Sequence, residues 1–166
     1  SLHLDTLALY ETSLLASLRR CFLTDLVGRR PTMRFLAPSP QQAPDSSLTH
    51  MFATLAAAEG GPQSGFDLKP DGLDLASLAD AVRAAREDGQ PIVLAGTSFA
   101  FVHLLDAVAS EGAQAGRWPL PAGSRVLETG GFKGRSREVP REVLRAELAS
   151  CFGIDERAVL NQYGMT

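Results

Sequence analysis

The sequence predicts an α/β fold, with a mainly parallel sheet that carries helices on both faces. Short apolar segments of strand length alternate along the chain with longer stretches of helical period. The run Ile-Val-Leu-Ala at residues 92–95 is unbroken by polar residues, as in a strand that is buried on both faces. Strands and helices in strict alternation favour a parallel sheet with right-handed crossovers.

The first half of the chain opens with a stripe of leucines that predicts a helix over residues 4–22, followed by a short strand at 33–37. Residues 38–44 include three prolines and are predicted to form a stiff loop, because proline suits neither a helix interior nor a central strand. Ser46 or Ser47 is then expected to cap the next helix, since a serine oxygen can accept from the first free backbone N–H groups.

The second half continues the alternation. Ser98 is expected to cap a helix that follows the 92–95 strand, and a Gly/Pro-rich loop is expected at 112–123. The other predicted elements are a strand at 66–69, a helix that Gly89 ends, a strand at Val126 and Leu127, a helix from Pro140 to Phe152 with Gly153 beyond it, and a last short strand at 158–160.

Composition limits the classes of function. The 166 residues suffice for a single domain spanning 1–166, and a net charge of -3 argues against a nucleic-acid partner. No apolar run approaches the roughly 20 residues that a membrane helix needs, and no signal peptide is evident, so a cytoplasmic protein without a membrane span is expected. Cys21 and Cys151 are expected to be buried thiols, and the spacing of the histidines predicts no metal site.

Ligands of open parallel sheets bind at the carboxyl ends of the strands. In this chain those ends lie at 96–98, 129–131 and 162–164. At the second of them, Gly130 and Gly131 offer bare backbone to a flat ligand, and Lys133 adds a cation. The segment is neither a Walker phosphate loop nor a GxGxxG motif. A ligand-binding loop and a solvated basic turn explain it about equally well.

The last segment of the chain, Asn161-Gln-Tyr-Gly-Met-Thr166, follows a strand. Tyr163, directly before Gly164, can present its ring face to a base, and the Thr166 hydroxyl can reach a phosphate oxygen. Taken alone, a Tyr-Gly turn without a ligand is the simpler interpretation.

Several segments together resemble one family. Tyr163-Gly-Met-Thr166 matches the first four positions of the YGxTE motif of adenylate-forming enzymes. The run ETGGFKGRSREV at 128–139 strongly resembles the LuxE-type acyl-protein synthetases, as do residues 46–52 and 96–106. The resemblance covers nearly the whole chain, in the same order, and it implies part of an N-terminal adenylation domain.

The resemblance implies that the complete enzyme activates a carboxylic acid, in particular a fatty acid, with ATP and Mg²⁺. An acyl-adenylate forms and the acyl group then passes to a protein thiol, with fatty-acid reductase proteins as partners. Tyr163 would stack on adenine, Thr166 would contact the phosphate, and His50 would lie beside the acyl pocket. The implied nucleotide-binding residues are Thr129, Gly130, Gly131, Lys133, Tyr163, Gly164 and Thr166, and the implied catalytic residues are Thr166 and His50.

The chain also departs from the family pattern. Residues 1–166 contain no Ser/Thr/Gly-rich phosphate loop, no C-terminal lobe with its lysine, and no match to the acylated cysteine region. The glutamate that helps to hold magnesium would follow Thr166, so no metal ligand is expected within the chain. Residues 1–166 alone are therefore expected to be inactive as a synthetase.

Two other classes of function remain open. Gly96-Thr-Ser-Phe-Ala100 is close to the GxSxG nucleophile elbow of α/β-hydrolases, which would make Ser98 the nucleophile. The only later histidine is His103, which lies on the same predicted helix and cannot turn back to act as the base. The third alternative is a non-catalytic interaction domain, which predicts no nucleotide binding.

Overall fold

The computed structural model describes residues 7–110, 117–130 and 139–162. The strands are β1 (Thr32–Leu36), β2 (Gly65–Phe66), β3 (Leu68–Lys69), β4 (Gly72–Leu73), β5 (Ile92–Gly96), β6 (Arg125–Glu128) and β7 (Val159–Asn161). The helices are α1 (Ala8–Cys21), α2 (Ser47–Glu59), α3 (Leu75–Asp88), α4 (Ser98–Ser110) and α5 (Arg141–Phe152), and a single 3₁₀ turn, Glu156–Ala158, precedes β7.

Five strands form one parallel sheet in the order β2-β1-β5-β6-β7. The register places Glu128, the last residue of β6, opposite Gly96 of β5 and Asn161 of β7. Three neighbouring strands therefore reach their carboxyl ends at the same level. The predicted α/β fold with a mainly parallel sheet is confirmed.

Helices cover both faces of this sheet. Val93 and Ala95 of β5 pack in one apolar cluster with α1 and α2, whereas Ile92 and Leu94 pack in another with α3, α4 and α5. All four side chains are fully buried, which confirms a strand covered on both faces. Each large apolar side chain buried in this way stabilises the fold by about 1.5–3 kcal/mol.

Helices α1 and α2 lie side by side and run in the same direction. The Arg19 Nε donates to Glu59 Oε1 at 2.6 Å near their C-terminal ends, and His50 Nε2 lies 3.0 Å from Glu11 Oε1 near their N-terminal ends. Because α2 connects two parallel strands, it runs against them and begins at the carboxyl edge of the sheet. His50 and Glu11 therefore lie towards that edge.

The predicted single strand at 66–69 is wrong. Phe66 ends the short β2, and β3 pairs instead with β4 in a small antiparallel hairpin. Asp67, between β2 and β3, is fully buried and accepts hydrogen bonds from Arg34 of β1, including one of 2.9 Å from Nε to Oδ2. This buried pair fixes the chain at Asp67, and a turn at Pro70 and Asp71 then reverses its direction and leads into Gly72 (φ 131°).

The cap of α4 also differs from the prediction. Thr97 provides the cap, since its Oγ1 accepts from the Ala100 N–H at 3.2 Å, and Ser98 is the first helical residue. Ser46 is the serine that caps α2, by accepting from the Thr49 N–H at 3.2 Å. At the start of α5, Pro140 takes the cap position itself.

Cys21 is exposed, contrary to the prediction that both thiols are buried. It is the last residue of α1 and borders an open groove at the amino edge of the sheet. Cys151 is buried as predicted. Among the described residues, none of the helices combines the length and the apolar character that crossing a membrane requires.

Candidate functional site

The carboxyl ends of β5, β6 and β7 carry a compact group of polar residues. We call Ser98, Glu128, Thr129, Gly130 and Asn161 the strand-end cluster. The Thr129 N–H and hydroxyl both donate to the Gly96 carbonyl oxygen, at 3.0 and 3.2 Å. Hydrogen bonding between the strands thus continues into the loops beyond them, which holds these loops together at one edge.

Glu128 lies at the centre of the strand-end cluster and is 5% exposed. Its Oε1 accepts hydrogen bonds from the Ser98 hydroxyl and from the Gly130 N–H, the latter at 2.6 Å. Its Oε2 accepts from the Asn161 side-chain amide. A carboxylate without partners would cost several kcal/mol in such a position, and these three donors offset that cost.

Gly130 adopts a left-handed backbone conformation (φ 73°) that other residues rarely adopt. A Cβ built at this position would meet no atom of the described residues within 4 Å. With respect to the described residues, the backbone of Gly130 is therefore open on the side where a side chain would stand. Such bare backbone at a strand end is what a flat ligand needs for close approach.

Gly96 provides a contrast, because a Cβ there would come within 2.8 Å of the Leu36 Cβ. The close packing of β1 against β5 is enough to explain this glycine. At Gly130, by contrast, no contact with another described residue explains the glycine.

A small pocket opens beside the strand-end cluster, between α5 and the ends of β6 and β7. It offers only about 50 Å³ of space, well below the roughly 300–1,000 Å³ of pockets that hold small-molecule ligands. Glu128 and Asn161 line one side, Leu144 contributes apolar surface, and Arg141 and Arg145 bring positive charge.

The sequence-predicted nucleotide site is described only in part. Thr129 and Gly130 lie in the strand-end cluster, as their position after β6 predicts. The predicted residues Gly131, Lys133, Tyr163, Gly164 and Thr166 lie outside the described residues. Gln162, directly before Tyr163, donates its N–H to the Glu128 carbonyl oxygen at 2.8 Å. The segment that leads to Tyr163 therefore leaves β7 beside Glu128.

His50 lies on α2, and its contacts in the described part of the chain are with α1. Its Nε2 is 3.0 Å from Glu11 Oε1, and its ring centroid is 6.3 Å from that of Tyr10. The side chain is about one-third exposed. The predicted role of His50 beside an acyl pocket stays a prediction.

Ser98 has the wrong surroundings for a hydrolase nucleophile. It is 3% exposed, and its hydroxyl donates to Glu128. His103 is exposed on the same helix, where its ring packs edge-on against Phe99 with centroids 4.4 Å apart. A serine nucleophile needs access to substrate and a base within hydrogen-bond reach. Among the described residues, the partner of the Ser98 hydroxyl is Glu128, and no histidine is hydrogen-bonded to it.

Cys151 is a poor acyl acceptor, because burial raises the pKa of its thiol and so disfavours the reactive thiolate. The described residues also contain no group of three or more His, Cys, Asp or Glu side chains that could hold a metal ion. Both findings concern only the ranges given above.

The structural roles of Glu128 and Asn161 were not predicted from the sequence, where they are only the first residues of the segments 128–139 and 161–166. The available signal was a single carboxylate placed directly after the apolar Val126-Leu127 pair of a central strand. Such a carboxylate must find donors at the strand ends, because the strand itself is buried.

Comparisons with known proteins add no family assignment. No protein-family model, no curated protein and no solved structure matches the chain.

Proposed function

We propose that the chain is part of an acyl-adenylate-forming enzyme of the LuxE type, and that the strand-end cluster borders its adenine site. The observation that carries this proposal is Gly130, whose left-handed backbone lies at the carboxyl edge of the sheet and meets no described atom where a Cβ would stand. It belongs to the ETGG segment, which resembles the acyl-protein synthetases. The segment that leads to the YGMT motif starts beside it, at Gln162.

The proposed reaction has two steps. A carboxylate oxygen of the acid, a fatty acid in the leading case, bonds to the α-phosphorus of ATP, and pyrophosphate leaves. The sulfur of a protein thiolate then bonds to the acyl carbon, and AMP leaves. Magnesium would neutralise phosphate charge, but the described residues form no magnesium site, so its ligands are expected elsewhere in the enzyme.

The chain would contribute mainly by positioning, which is the main form of catalysis in phosphate chemistry. Tyr163 would stack on the adenine, a contact worth about 1–3 kcal/mol by analogy with bases on aromatic side chains. The Thr166 hydroxyl would donate to the phosphate, worth about 1.5–3 kcal/mol. His50 would stand beside the carboxylic acid. We propose a cytoplasmic enzyme with fatty-acid reductase partners.

The test is Gly130→Ala in the full-length protein, with ATP affinity measured by calorimetric titration. The added methyl group would stand on the face where adenine is proposed to lie, so we expect ATP to bind roughly tenfold more weakly. The left-handed conformation strains any alanine by about 1–2 kcal/mol, which lowers stability as well.

Gly89→Ala is the matched control. Gly89 is also left-handed (φ 61°) with no described atom within 4 Å of a built Cβ, but it ends α3, away from the strand-end cluster. Its variant should lose similar stability and keep the parent's ATP affinity. Equal ATP affinity in both variants contradicts the proposed site, and a parent that binds no ATP favours the interaction-domain alternative.

A further inference from the structure

Glu128 joins the three segments that follow β5, β6 and β7 at the carboxyl edge of the sheet. The Ser98 hydroxyl comes from the start of α4, the Gly130 N–H from the loop after β6, and the Asn161 amide from the end of β7. One buried side chain therefore sets the relative positions of segments that are far apart in sequence.

The contact with Glu128 also fixes which way the Asn161 amide faces. A carboxylate group only accepts hydrogen bonds here, so the NH₂ group of Asn161 must face it. The carbonyl oxygen Oδ1 consequently points away from Glu128. It is buried and accepts no hydrogen bond from the described residues. Asn161 is thus held at the end of β7 with an acceptor that no described residue uses.

We infer that Glu128 is a positioning residue for nucleotide binding, a role that rests on the proposed function. Its carboxylate holds the Asn161 amide in one orientation and ties it to the Gly130 backbone. The Asn161 oxygen Oδ1, which would accept a hydrogen bond from the nucleotide, then keeps one position relative to Gly130 before the ligand arrives. Preorganisation of this kind lowers the entropic cost of binding.

The test is Glu128→Gln in the full-length protein, with ATP titration and thermal melting. Glutamine keeps one oxygen, which can still accept from Ser98 and Gly130, but it presents an NH₂ group to the NH₂ group of Asn161. The Asn161 amide must then turn over, so that Oδ1 accepts from Gln and the NH₂ group takes its former place. We expect ATP affinity to fall about tenfold, while the melting temperature stays close to that of the parent.

The double variant Glu128→Gln with Asn161→Asp exchanges the acid and the amide. The Gln NH₂ group can donate to one Asp oxygen, and the other Asp oxygen restores an acceptor at the position of Oδ1. We expect ATP affinity to return to within about threefold of the parent. A residue with only a general stabilising role would not give this rescue.

Glu59→Gln is the matched control. Glu59 is 4% exposed and pairs with Arg19 at the C-terminal end of α2, away from the carboxyl edge of the sheet. This variant should keep the parent's ATP affinity. If the parent binds ATP and Glu128→Gln binds it equally well, or if the double variant shows no rescue, the positioning role is overturned while the proposed function stands. A parent that binds no ATP overturns the proposed function itself, and the positioning role with it.

Discussion

Truncation of Glu128 should cost far more stability than truncation of Glu59, the other glutamate that is buried among the described residues. Glu128→Ala removes the acceptor of three donors, on Ser98, Gly130 and Asn161. Each buried donor left without a partner costs about 1–3 kcal/mol. Because the Ser98 hydroxyl can rotate and Asn161 is only half-buried, we take the lower part of that range. The expected loss of unfolding free energy is about 3–5 kcal/mol.

Glu59→Ala is the comparison. Glu59 is equally buried, but its partner Arg19 has a side chain that is 45% exposed and can turn to water. Its truncation should cost about 1 kcal/mol. The assay is urea denaturation of both variants and the parent at one pH. Equal losses, or a loss below about 1 kcal/mol for Glu128→Ala, would refute the view that Glu128 holds the strand ends together.

Four further results are expected. In the full-length protein, Tyr163→Ala should weaken ATP binding by roughly tenfold or more while Tyr163→Phe keeps most of it, and unfolding of the alanine variant or unchanged titration would make Tyr163 structural. Arg34→Met should cost about 3–5 kcal/mol near neutral pH in urea denaturation, because Asp67 stays buried without its partner. Burial raises the pKa of Asp67, and Arg34 opposes this. The stability lost in Arg34→Met should therefore shrink as the pH falls towards the ordinary value of 3.8, because a protonated Asp67 no longer needs a cationic partner. A loss that does not depend on pH would contradict this account. The exposed Cys21 should react with a thiol reagent well before Cys151, because Cys151 is buried and burial raises the pKa of its thiol. Equal rates would argue against the buried position of Cys151. Residues 1–166 alone should form no acyl-adenylate, and robust formation would show that no further part of an enzyme is needed.

The fold was predictable because local patterns and packing agree in most elements. The unbroken run at 92–95 needs burial on both faces, and the structure provides it through α1 and α2 on one face and α3, α4 and α5 on the other. Gly89 and Gly153, both at φ 61°, end their helices where the sequence predicts, since few other residues adopt that conformation.

The errors arise where a distant partner decides the local structure. The local sequence pattern places Asp67 within a strand at 66–69. Its hydrogen bond with Arg34, 33 positions earlier, instead divides this segment into β2 and β3. Ser98 is predicted to cap α4 because serine is a good capping residue. In the structure its hydroxyl donates to Glu128, 30 residues later, and Thr97 caps the helix instead. Patterns within a short window cannot detect such pairs.

The site follows the same rule. The position of Gly130 at a strand end was predictable from the alternation of elements, because parallel strands end at one edge. The hydrogen-bond donors around Glu128 were not predictable, because they come from three separate segments of the chain.

Carboxylate-dependent exchange of labelled pyrophosphate into ATP is the most direct measurement of the proposed activity. The full-length protein, supplied with magnesium and a series of fatty acids, should exchange label only when an acid is present, because the first step is the reversible formation of an acyl-adenylate. Gly130→Ala should lower the exchange at subsaturating ATP and Gly89→Ala should not. Absence of exchange with every acid, from a protein that is folded by thermal melting, would contradict the proposed function.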